Sequence, residues 1–147
     1  MPTLVKSYID QLKGLKSKAV PQAERIVLKL QDQIADYVRE KQLFDKGIDG
    51  KGKFLGHYSS YTIALKKAKG EVYNRTTLLD TEDFYKGFFV TGRNKKIEIF
   101  STDKKTKKLI DKYGKDIFLL TVENNKLVND NLILPILIEW LINEIKV

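Results

Sequence analysis

The single histidine, His57, and the acids Asp80, Glu82 and Asp83 are the residues best suited by type to acid–base work or to holding a cation. A lone imidazole acts as a general base only when a carboxylate orients it and a nucleophile stands within hydrogen-bond reach. No spacing around His57 marks such a pair, so beside Tyr58 in a polar stretch it reads as a surface or hydrogen-bonding residue. Asp80, Glu82 and Asp83 have the types for a cation or for paired acids. Asp80 or Thr81 fits better as the cap of a turn before Phe84, because Asp and Thr side chains satisfy local backbone N–H groups. Gly47-x4-Gly52-Lys53 matches a phosphate-binding loop until its last position, where Phe54 replaces the Ser or Thr that magnesium needs. That loop also has to leave a strand, whereas this one leaves a helical pattern. Asp45 and Asp49-Gly50 resemble a calcium loop, but Gly47 and Gly56 stand at its third and twelfth positions, where oxygen ligands are required. With no cysteine, thiolate metal sites and disulfides are excluded. The expectation is no catalytic residue, no metal and no cofactor.

What the chain does carry is charge: 27 Lys+Arg against 19 Asp+Glu, a formal net charge of +8 in 147 residues. Only Arg25, Arg39, Arg75 and Arg93 are arginine, so the surplus consists of flexible point charges rather than planar forks that clamp phosphates or read bases. The clusters are Lys66-Lys67-Lys69, Lys95-Lys96 and Lys104-Lys105-Lys107-Lys108. As solvated faces they need no partner. Converging on one face, Lys66, Lys67, Lys95, Lys96, Lys104, Lys105, Lys107 and Lys108 would contact DNA phosphates without reading sequence, or an acidic protein partner. The aromatics from Tyr58 to Phe89 are of types that stack bases, but alternating aromatics in a strand pattern read first as core.

These residues need elements to hold them. At 42% hydrophobic and 31% charged, the composition is that of one ordinary globular domain, residues 1–147. From Thr3 to Ala19 apolar residues recur at three and four, and Ala23, Ile26, Val27, Leu30, Ile34, Tyr37 and Val38 continue one face. This predicts either two helices, the second opening at Pro21, or one helix kinked there, with Lys46-Gly47 as its stop. Residues 46–83 read as an ordered extended arm, because they are irregular yet rich in large apolar residues. A short helix over Tyr61–Lys69 within it has Ser59 or Ser60 as cap and Gly70 as end. Phe84, Phe88 and Val90, then Ile97 and Ile99 after Gly92-Arg93-Asn94-Lys95, predict a β-hairpin. Thr102 or Asp103 should cap a lysine-rich helix ending at Tyr113-Gly114, with a further strand over Ile117–Val122 closed by Glu123-Asn124-Asn125-Lys126. The apolar run from Leu132 to Ile142 is too short for a membrane span and is interrupted by Pro135 and Glu139. It predicts a helix capped near Asn129–Asn131, buried against the sheet or shared with a neighbouring subunit. The start of the chain lacks the apolar core of a signal peptide, so the sequon Asn74-Arg75-Thr76 is not expected to carry a glycan. The fold class expected is α+β: an N-terminal helix or helix pair, an arm, a small antiparallel sheet and a C-terminal apolar helix.

The order of these pieces resembles a known family. A helix ends in a glycine turn and is followed by Asp49-Gly50, Leu55, Tyr58-Ser59, Thr62 and Lys66-Lys67. Leu78-Leu79-Asp80-Thr81-Glu82-Asp83-Phe84 then leads into the hairpin. This pattern, covering roughly residues 23–121, is similar to that of the tail-completion and neck (head–tail connector) proteins of tailed phages, a virion-morphogenesis group. It looks most like the versions in crAss-like gut phages. Glu82 stands where the family has glycine after Asp-Thr. The resemblance implies a structural virion protein without catalysis, made in the host cytoplasm and assembled as a homo-oligomeric ring with other neck or tail proteins, away from membranes. Phe54, Leu55, Tyr58 and Tyr61 of the arm and Phe84 at the hinge are then the expected subunit contacts.

Overall fold

The structure is a computed structural model that describes residues 4–93 and 96–145. Its organising element is a nearly continuous helical rod. Helix α1 (Leu4–Lys29) runs through Pro21 without ending, so one helix rather than two is the form adopted. Pro21 is exposed, which leaves water to satisfy the carbonyl that its missing N–H cannot reach. Leu30 bends the rod (φ −101°, ψ 13°), yet its N–H still reaches the Ile26 carbonyl, and α2 (Gln31–Asp36) follows directly. A π-helical turn, Tyr37–Phe44, carries the rod to Gly47 and turns Val38, Gln42 and Leu43 together into the interior.

Strands β1 (Phe88–Arg93) and β2 (Lys96–Ser101) form the expected antiparallel hairpin, pairing Phe88 with Ser101, Val90 with Ile99 and Gly92 with Ile97. Those pairs face inward, and α1 and α2 both lie across β1. Gly92 permits the approach, since a Cβ there would stand 3.0 Å from the Glu24 Cα. Of the predicted turn Gly92-Arg93-Asn94-Lys95, Gly92 and Arg93 belong to β1, and Asn94 and Lys95 lie outside the described residues. The core between rod and hairpin joins Ile26, Val27, Ile34 and Val38 to Phe88, Val90 and Ile99, closed at one end by packed aromatics Phe84, Tyr85 and Phe118. The fold is α+β.

Several elements differ from expectation. Residues 46–83 do not reach away from the body: they fold back on it around helix α3 (Ser60–Lys69), with Leu55, Leu78 and Leu79 packed on the core. Phe84 lies in a single helical turn, α4 (Asp83–Lys86), not in the strand. Helix α5 (Thr106–Tyr113) ends at Gly114 as predicted, but neither Thr102 nor Asp103 caps it. Residues 117–122 form no strand. Lys115–Phe118 is a 3-10 turn, and Thr121 caps helix α6 (Val122–Val128), its hydroxyl accepting from the Asn124 N–H at 3.1 Å. Glu123-Asn124-Asn125-Lys126 is therefore helix rather than turn. A short apolar run looks the same as strand or buried turn, and here Ile117 and Phe118 serve the core from the turn.

The C-terminal helix starts earlier than predicted. A π-helical turn, Asn129–Ile133, joins α6 to α7 (Leu134–Ile145), so Asn129–Asn131 sit inside the helix and Pro135 follows the widened turn. The irregular turn precedes a proline that cannot complete the regular ladder. Helix α7 packs on α1, not on the sheet, and none of its residues is fully buried.

Candidate functional site

The site is built by the folded-back arm, which is clamped at its root. The Asp49 carboxylate, 3% exposed, accepts from the N–H groups of Lys51 and Lys53 at 2.9 Å each. The amides that a phosphate would need are thus already taken by this chain's own carboxylate, and the glycines make a turn, not a nucleotide loop. Gly50 donates to the Asp116 carbonyl (2.8 Å) and lies so close to Leu119 that a Cβ would stand 2.6 Å from the Leu119 carbonyl carbon. Opposite, the fully buried Gln42 donates to the Leu119 carbonyl (2.8 Å) and accepts from Thr121 N–H and Asn124 Nδ2 (2.9 Å each). Gln42 carries no pattern signal, sitting one place from Leu43 on a helix face that the π turn rotates inward.

The return leg is pinned by hydroxyls. The Tyr58 hydroxyl accepts from Thr77 N–H (3.0 Å), Thr76 bonds twice to the Gly56 carbonyl, and Tyr85 donates its hydroxyl to the Thr77 carbonyl. Of the two serines the sequence offers as cap, Ser59 caps α3 and Ser60 is its first residue, and Gly70 ends it as predicted. Glu82 adopts φ +69°, the left-handed conformation suited to glycine.

Between α3 and α5 this leaves a cleft of about 310 Å³ lined by Tyr58, Lys66, Leu79, Asp80, Phe84, Lys105 and Tyr113. Lys66 is buried: its ammonium bonds to the Leu79 carbonyl (3.1 Å) and Glu71 (3.4 Å) and lies 4.7 Å over the Tyr58 ring. It is a strut of the arm, not a free charge, which corrects its place among the DNA or acidic-partner contacts. Across the cleft Lys105 bonds Asp80 at 3.1 Å. That hydrogen bond holds the Asp80 carboxyl below its ordinary range against the opposing effect of burial, with Lys66 and Lys69 adding to the depression. Burial, with Glu40 adding, pushes the Tyr85 phenol far above its usual range. Neither group is near its titration point at neutral pH, so neither suits general acid–base work.

The structure thus brings Lys66 and Lys105 to one cleft, whereas Lys67, Lys104, Lys107 and Lys108 are exposed but do not line it, and the Lys67 ammonium lies 4.8 Å over the Tyr73 ring. Lys96 does not join them, being five residues or about 17 Å back along β2 from Ser101, and Lys95 lies outside the described residues. Of the expected subunit contacts, Phe54 (44% exposed) and Tyr61 (74%) face solvent. Leu55 packs on the core, Tyr58 is spent on Thr77, and Phe84 (4%) is a core residue with no surface to offer. Leu65, four residues beyond Tyr61 on the same face of α3, is exposed as well, and its four-residue spacing from Tyr61 signals it; Tyr73 is exposed with the Lys67 ammonium 4.8 Å over its ring. His57 is exposed and meets only the edge of Phe54, with ring centres 5.1 Å apart. Asp80, Glu82 and Asp83 are occupied by Lys105, Lys86 and the Thr81 hydroxyl. Among the described residues no group of three or more His, Asp or Glu side chains is placed to hold a metal, and no helix is long and apolar enough to cross a membrane. No family model, no curated protein and no solved structure matches this chain.

Proposed function

We propose that this protein is a structural subunit of a tailed-phage virion, part of the neck or tail-completion ring that joins head to tail. The observation that carries the proposal is the set of large apolar side chains that the arm leaves exposed. Phe54, Tyr61, Leu65 and Tyr73 stand exposed on a segment whose backbone is pinned at both ends. Large apolar side chains held rigid in water are what a permanent contact covers. Glu82 with φ +69°, where the resembled family has glycine, supports the alignment of the hinge. The decisive experiment is peptide mass spectrometry on purified particles, with copies counted against the portal protein. A small ring's worth of copies is the expected result, and absence from particles overturns the proposal. Within it, Phe54→Ser combined with Tyr61→Ser should fold normally and be lost from particles; incorporation at wild-type level removes the arm as a contact.

The exposure of Lys104, Lys107 and Lys108 on and just before α5, with Lys67 exposed on α3, favours a second reading, non-specific nucleic-acid binding by these four lysines. DNA affinity would then be measurable at physiological salt and fall steeply as salt rises. No binding at physiological salt rules it out.

A further inference from the structure

Helix α7 has two apolar faces and this chain covers one. Leu137, Trp140 and Leu141 are half-buried on the side that meets α1, where Glu144 approaches Lys18 at 4.0 Å. On the other side Leu134, Ile138, Ile142 and Ile145, spaced by four, four and three, form a single stripe. These residues are 39%, 50%, 56% and 52% exposed. The stripe is about 17 Å long, and so apolar a ridge is not a stable water-facing surface.

The chain also holds a segment that fits it. Ile133 shares a small cavity with Val27, while Glu144 reaches Lys18, so α7 runs antiparallel to α1 and its last turn stands level with Lys18. Leu12, three and seven places before Leu15 and Ala19, continues the face that α7 covers further along, yet is 61% exposed with Lys13 and Lys16 beside it. Charge agrees with shape. Helix α7 carries Glu139 and Glu144 and no Lys or Arg, and Glu139 borders the open stripe. The α1 segment offers lysines, and the chain already makes this pairing once, within itself, at Lys18 and Glu144.

We propose that the open stripe of α7 is covered by the N-terminal part of α1, around Leu12, from a second copy of this chain. Where the stripe and the Leu12 segment of one copy meet two different neighbours, the contact is heterologous and propagates from copy to copy, closing into a ring where the rotation permits; where both meet the same neighbour reciprocally it stops at a dimer, which light scattering tells apart by mass. The inference rests on the ring reading given above and supplies that ring with a contact the arm does not make.

The chain has no cysteine, so introduced ones report cleanly. Leu12→Cys and Ile142→Cys proteins, mixed and mildly oxidised, should give a disulfide-linked heterodimer, with neither variant alone cross-linking as well. Preferential Ile142→Cys homodimers would mean a symmetric α7 contact and overturn the proposal. By light scattering, wild type should self-associate as concentration rises, whereas Ile138→Glu and Leu12→Glu should each shift it to monomer with an unchanged circular dichroism spectrum. A wild type that stays monomeric, or charge variants that still assemble, refutes it. Cross-linking in solution with absence from particles would leave this contact standing and remove the virion role. Particles that incorporate Ile138→Glu normally would do the reverse.

Discussion

Replacing Gln42 by leucine tests the clamp that sets the arm on the body. Three hydrogen bonds of 2.8–2.9 Å are lost, and the Leu119 carbonyl and Thr121 N–H lose their partners. Each hydrogen bond is worth about 1 kcal/mol net, and a deserted buried group costs about 1–3 kcal/mol. Leu119 is 47% exposed, so water recovers part of that penalty. The expected loss is about 2–4 kcal/mol out of roughly 5–15 for a domain, or a fall in Tm of about 10 °C. Urea denaturation read by circular dichroism gives the number. Gln42→Glu sharpens the test: a carboxylate can still accept from Thr121 and Asn124 but cannot donate to the Leu119 carbonyl. Burial raises the folded-state pKa of the new acid above its unfolded value of about 4.3. Stability contributed by the protonated form is then complete below that value and lost as pH rises through the folded one. Gln42→Glu should therefore be weaker relative to wild type at pH 7 than at pH 4. A Gln42→Leu protein within about 1 kcal/mol of wild type, or a Gln42→Glu deficit independent of pH, would refute the clamp.

Gly50→Ala should lower stability by about 3 kcal/mol, since its Cβ overlaps Leu119, and a wild-type denaturation midpoint would mean the two segments are not in contact. Glu82→Gly should raise stability by about 0.5 kcal/mol. Relief of a left-handed conformation worth about 1–2 kcal/mol outweighs the added chain entropy and the exposed Lys86 pair, and a loss in urea denaturation would count against the hinge geometry. Tyr85 has its folded-state pKa raised, so its contribution is complete below the ordinary tyrosine value of 10.0 and lost as pH climbs above it. Tyr85→Phe should lose about 1 kcal/mol at pH 7, from the bond to the Thr77 carbonyl, and show less alkaline destabilisation in pH-jump denaturation than wild type does.

Local signals determined much of this protein. Helical period marked the rod and glycines marked its stop and those of α3 and α5. The serine pair Ser59-Ser60 announced the cap of α3, and apolar alternation on either side of a polar stretch announced the hairpin. Each of these depends on residues within a few places of one another. The arm's composition also showed that it was ordered. What it could not show was where those side chains point: the same tyrosine type is a strut at Tyr58 and a surface residue at Tyr61, and lysine is buried at Lys66 and exposed at Lys67. Those outcomes hang on partners 13 to 79 residues away, such as Leu79 for Lys66 and Thr121 for Gln42. The helical state of residues 122–133 and the placing of α7 on α1 rather than on the sheet were settled likewise, because an apolar run specifies burial but not against what. The tertiary structure alone decided which apolar residues are core and which, along the arm and along α7, still face water.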